Sequence, residues 1–172
     1  MTTVVGGKRL RLIKQGFAET VRQALDDLDW FDPGRKHKPI RFTTEEAPRS
    51  EEVLPNLVAV STEDVVGEEI ELGSGLEENR WDFYVDIYAE NEALGLELAG
   101  DVRDVLRGKI PSIGRGIPHV DVLDYRLATP THLFYVQIED VDMVRPKVAG
   151  PAKSSIHIVA CTVVDTYDTE TD

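Results

Sequence analysis

From Lys8 to Phe31 the apolar residues fall at Leu10, Ile13, Phe17, Val21, Ala24, Leu25 and Leu28, the spacing of one helical face. A first helix is therefore predicted over 8–31. Gly16 costs it roughly 1 kcal/mol relative to alanine, a loss that a packed face offsets. Pro33 cannot continue the helix and Gly34 permits a turn, so the helix should end at "DWFDPG". Residues 33–55 carry four prolines and few apolar residues at any regular interval, and are read as an extended loop.

The rhythm then shortens. "NLVAVST", "EEIELG" and the stretch from Trp81 to Tyr88 are three strand candidates, predicted to form an antiparallel meander over 56–89. In the third, Trp81, Phe83, Val85 and Ile87 share one face while Asp82, Tyr84, Asp86 and Tyr88 share the other. At "AENEA" the period changes to that of a second helix over 91–107. Glu90 or Asn91 can cap it, Leu94, Leu98, Val102 and Val105 or Leu106 form its stripe, and Gly108 follows its end. Strands are expected again within 119–165, in "VDVLDYR", "HLFYVQIEDVDMV" and "SSIHIVACTVVDTY". The middle one changes apolar phase, which places a bulge near Glu139 or Asp140. The last is apolar on both faces, as suits a central strand or one covered by a partner. Residues 166–172 read as a flexible acidic tail. Together these elements predict one domain over 1–172, α+β in class, with a mostly antiparallel or mixed sheet of about five to six strands covered by two amphipathic helices.

Composition narrows the function. The formal charge of −13 is uneven: residues 1–50 hold a surplus of three positive charges, and the rest an excess of sixteen negative ones. Such a surface disfavours tight nucleic-acid binding, yet suits a passage through which DNA moves without sticking. A single cysteine, Cys161, rules out an internal disulfide and a cysteine-rich zinc site within one subunit. No apolar run approaches the ~20 residues of a membrane span, and the N-terminal stretch lacks the pattern of a secretory signal, so neither export by that route nor membrane embedding is expected.

Reactive motifs are sparse. Asp121 with Asp124, or Glu139, Asp140 and Asp142, together with Lys147, could in principle serve a metal-dependent nuclease. In a chain with 32 acidic residues, chance meetings on wet strand faces explain them better. His37, His119, His132 and His157 lack the close pairing of zinc ligands. The glycines around Gly73 and Gly114 are incomplete as phosphate loops, Ser74 lacks a nucleophile elbow, and Cys161 lies in an apolar strand. No catalytic, cofactor or metal residue is assigned. The basic cluster Arg35, Lys36, His37, Lys38 and Arg41 can dock an acidic partner or serve as a solvated loop.

The order of elements, with "RWDFYVDIYAENEALGLELAGDVRDVL" at its centre, resembles the tail terminator family of long-tailed bacteriophages and the related tail-completion and neck proteins. Trp81 through Leu106 carries the resemblance. It implies a virion protein, assembled in the host bacterial cytoplasm, that caps the tail tube as a ring, usually of six subunits. Its partners would be its own copies, the major tail tube protein and the head–tail connector, with DNA passing through unbound. Under this reading Arg35, Lys36, Lys38 and Arg41 would dock a partner, and Glu68, Glu69, Glu71, Glu77 and Glu78 would line or rim the channel. A neck or head-closure role is the nearest alternative, and a metal nuclease a distant one.

Overall fold

The computed structural model describes residues 6–37, 39–44, 56–63, 67–69, 76–108, 119–126, 128–144 and 155–168. The first helix, α1, spans Gly6–Asp27, and its apolar stripe is buried, with Ile13, Phe17, Val21 and Leu25 fully enclosed. It stops short of the predicted Phe31. Asp29 takes a left-handed conformation (φ 61°), and the Trp30 N–H returns 2.9 Å to the Leu25 carbonyl, a cap that closes the helix before Pro33 can act. Trp30 is thereby swung inward, and its indole N–H donates to Asp101 Oδ2 at 2.7 Å, tying the end of α1 to the second helix.

Six strands lie side by side in one sheet, and a seventh short one pairs with a member of that row. They are β1 (Arg41–Thr43), β2 (Leu57–Glu63), β3 (Gly67–Glu69), β4 (Leu76–Ala89), β5 (His119–Asp124), β6 (Thr131–Val144) and β7 (Ser155–Asp168), in the order β1-β2-β4-β7-β6-β5. The β1–β2 pair is parallel and the others antiparallel. The fold is therefore α+β with a mixed sheet. β4 and β7 pair along 14 residues each, which makes β7 central, as its two apolar faces require.

Three details differ from the sequence expectation. The stretch expected as an extended loop contains β1, whose three residues are too few to show a period. The 56–89 segment is not a three-strand meander: β2 pairs with Asp82–Tyr88 and β3 with Glu77–Asn79, so both run end to end along the same edge of β4. Finally, β7 continues to Asp168, into the segment read as tail. The predicted bulge in β6 is present, with a register shift between Glu139 and Asp142 and a φ of 50° at Asp140.

Both helices pack on one face of the sheet, against Trp81, Phe83, Val85 and Ile87 of β4, Val159, Cys161 and Val163 of β7, and Val120 and Val122 of β5. The second helix, α2 (Glu92–Leu106), begins at Asn91, whose side chain accepts from the Leu94 N–H at 2.9 Å. Two glycines set how closely the helices approach. A Cβ on Gly95 would stand 2.4 Å from His157 Cδ2, and one on Gly16 would stand 3.1 Å from the Asp121 carbonyl oxygen. Within this layer Arg9 and Asp165 form a buried ion pair, the guanidinium Nη2 donating to Oδ1 at 2.7 Å while Arg9 Cζ lies 3.7 Å from the Phe134 ring centroid. Opposite charges joined in this way avoid the several kcal/mol that either ion alone would cost in that interior.

Candidate functional site

The alternation that fills the core leaves a second sheet face on which, among the described residues, no helix packs. Register places Glu78, Arg80, Asp82, Tyr84, Asp86 and Tyr88 of β4 on it, beside Ile158, Ala160, Thr162 and Val164 of β7. From β6 come Gln137, Glu139, Asp142 and Val144, from β5 His119 and Asp121, and from β1 Arg41. Among the described side chains this face sets six carboxylates, those of Glu78, Asp82, Asp86, Asp121, Glu139 and Asp142, against the guanidiniums of Arg41 and Arg80. Arg80 is committed locally, 2.7 Å from Glu78 Oε1 and 3.3 Å from Glu139 Oε2. The face is thus acidic, and its central carboxylates come from strand positions fixed by the core on the other side.

Asp86 is the least comfortable of them. It stands opposite Ala59 of β2 and Ile158 of β7, half-buried, and burial pushes its carboxyl above the usual 3.8. The neighbouring Tyr88 phenol is also pushed up, by burial and then by the Asp86 charge. Asp82 has help, accepting from Thr162 Oγ1 at 3.2 Å across the strand pair.

The basic cluster is divided by the fold. Arg35 turns back into the chain: its guanidinium stacks 4.3 Å from the Trp30 ring centroid and donates to the Leu28 carbonyl at 2.6 Å, sealing the end of α1. His37 lies 5.7 Å from Trp30, ring centroid to ring centroid, with the rings tilted by 31°. Lys36 and Arg41 are exposed, Arg41 at the start of β1, and Lys38 lies outside the described residues. Of the channel candidates, Glu68, Glu69, Glu77 and Glu78 meet in one hairpin, with Glu68 opposite Glu78 and Glu69 opposite Glu77, while Glu71 lies outside the described residues.

The carboxylates considered for a nuclease do not converge. Asp124 is held by Arg126, whose Nε donates at 2.8 Å, and these hydrogen bonds keep its carboxyl down at about 2. Asp121 lies between His119 and His132, whose Nε2 atoms are 3.8 and 4.0 Å from its Oδ1, with both rings against Tyr135. Glu139 reaches Arg80 and Asp142 reaches Arg107, and Lys147 lies outside the described residues. Among the described residues no three His, Cys, Asp or Glu side chains are arranged to hold a metal ion. Cys161 is buried, and burial pushes its thiol up to about 12, which keeps it protonated and unreactive at neutral pH.

A groove of about 630 Å³ runs between the outer side of α1 and β1, floored by Ala18 and Phe42 and flanked by Arg11 and Lys14. Sequence reasoning singled out only the cationic loop after α1 as a docking candidate within the basic first segment. The groove cations were legible only as helix residues off the apolar stripe, and their meeting with β1 is a tertiary fact. Asp82 and Asp86 were visible as the polar phase of β4, but their union with Glu139 and Asp142 depends on the β4-β7-β6 pairing. No protein-family model matches the chain, and no curated protein matches its sequence.

Proposed function

We propose that the chain is a structural protein of a long-tailed phage particle, a tail terminator that acts as a ring at the end of the tail tube. The observation that carries this reading is the acidic helix-free face, on which Asp82 and Asp86 of β4 and Glu139 and Asp142 of β6 stand on either side of β7. A ring with this face toward its lumen presents like charge to DNA, so the polyanion gains no counterion release from contact and passes without adhering. The stretch Trp81 to Leu106, which resembles the family, forms the strand that presents Asp82 and Asp86 on this face, followed by a capped helix. Non-enzymatic action fits a surface whose charged groups are spread along strands rather than gathered in a cleft.

The reading is tested on tail tubes assembled from the major tail protein of the phage that encodes this chain. Purified protein added during tube growth should cap tube ends and halt elongation, seen by electron microscopy as tubes of limited length bearing a terminal ring. Tubes that grow to the same lengths with bare ends at saturating protein contradict it.

A further inference from the structure

The leucines of α2 do not all turn to the core. Leu94, Leu98 and Leu106 pack toward the sheet, whereas Leu96 is 48% exposed. Ala93 and Gly100, three residues before it and four after, share its side of the helix, and a Cβ on Gly100 would meet nothing within 4 Å. Leu96 therefore stands above a low surface. At about 3.6 residues per turn, Glu92 and Glu97 fall on either side of it. Both are exposed, and among the described residues neither forms an ion pair.

The α1–β1 groove offers the converse. Its floor is Ala18 and Phe42, and its cations are Arg11, exposed, and Lys14, half-buried. Among the described residues neither cation forms an ion pair, whereas Arg22 at the same groove is already joined to Glu19 at 2.5 Å. One element thus carries an exposed apolar side chain bracketed by anions, and another place on the chain carries an apolar floor flanked by cations.

We propose that the outer face of α2 of one copy seats in the α1–β1 groove of the next, with Leu96 over Ala18 and Phe42, and Glu92 and Glu97 toward Arg11 and Lys14. The inference rests on the ring reading only in that copies associate. Because the two patches are unlike, the contact is head-to-tail, and each copy keeps one groove and one helix face for its neighbours. Burial of Leu96 supplies the apolar part of the contact. The charges steer the approach and fix which way the helix lies, since a reversed or displaced face would leave them unmatched. A second copy is the occupant that the charges favour, because its own α2 carries the anions that the groove lacks.

Charge exchange in the full-length chain tests the contact. Self-association is measured by analytical ultracentrifugation at low and at physiological salt, with circular dichroism as the check on folding. The groove variant Arg11→Glu, Lys14→Glu and the helix variant Glu92→Lys, Glu97→Lys should each weaken association at least about tenfold. An equimolar mixture of the two should recover it, because the acidic groove of one then meets the basic helix of the other, and the remaining contact is the parental one. Added salt should weaken both the parent and the mixture. Leu96→Ser should weaken association as well, at a position outside the core. If a reversed variant fails to fold, Arg11→Gln, Lys14→Gln and Glu92→Gln, Glu97→Gln give the same comparison with smaller perturbation. Variants that associate as tightly as the parent, or a mixture no better than its components, overturn the contact while leaving the capping of tail tubes through another surface intact. A parent that stays monomeric at low salt over the whole concentration range overturns it too.

Discussion

Asp86 sits where the fold would be better served by a neutral side chain. Half-buried between Ala59 and Ile158, it has a carboxyl whose pKa burial raises above 3.8, so its charged form is the disfavoured one in the folded state. A raised folded pKa means that stability is fully present below the unfolded value and is lost as pH rises through the folded one. Asp86→Asn should therefore match the parent below about pH 3.8 and become the more stable protein as pH climbs to 7, as read by urea unfolding at several pH values. An Asn variant that is less stable at pH 7 would show that the charge is supported by the fold and not tolerated against it. An acid kept at a cost to stability is the mark of a residue retained for its surface, here the sheet face opposite the helices. Residue identity alone displayed Asp86 as one polar position among many; its discomfort depends on Ala59 and Ile158, which arrive from strands far away in the chain.

The elements whose pattern repeats often enough could be read before the fold was known, and the short or paired ones could not. α1, α2 and β4 each show several turns or alternations of their period, and the β6 bulge betrayed itself by a change of phase. β1 has three residues and depends on β2 for its existence, and the collinear β2 and β3 look like separate meander strands until their common partner is known. The end of α1 was misplaced for a related reason: Asp29, not glycine, takes the left-handed position, and proline downstream drew attention instead. Two helical glycines in α2 allow a direct test of how the helix meets the sheet. Alanine at Gly100 meets nothing within 4 Å and should stabilise by up to about 1 kcal/mol through helix propensity. At Gly95 the new methyl would press on the His157 ring, and overpacking of this kind costs about 1–3 kcal/mol, more than propensity returns. The midpoint of urea unfolding should thus rise for Gly100→Ala and fall for Gly95→Ala. Equal midpoints would mean that α2 can lift from β7 without loss.

The molecule as a whole divides its surfaces by chemistry. One sheet face is closed by two helices around a continuous apolar core, and the other is left acidic. This division follows from strand alternation, which forces Asp82 and Asp86 outward wherever Phe83 and Val85 go inward, and from a strand order that sets β4, β7 and β6 side by side. The most direct test is a cryo-electron microscopy reconstruction of the protein assembled on tail tube ends. The account predicts a closed ring in which Asp82, Asp86, Glu139 and Asp142 point into the lumen. A ring that turns these four residues to its outer circumference, with the helices facing the channel, would contradict it.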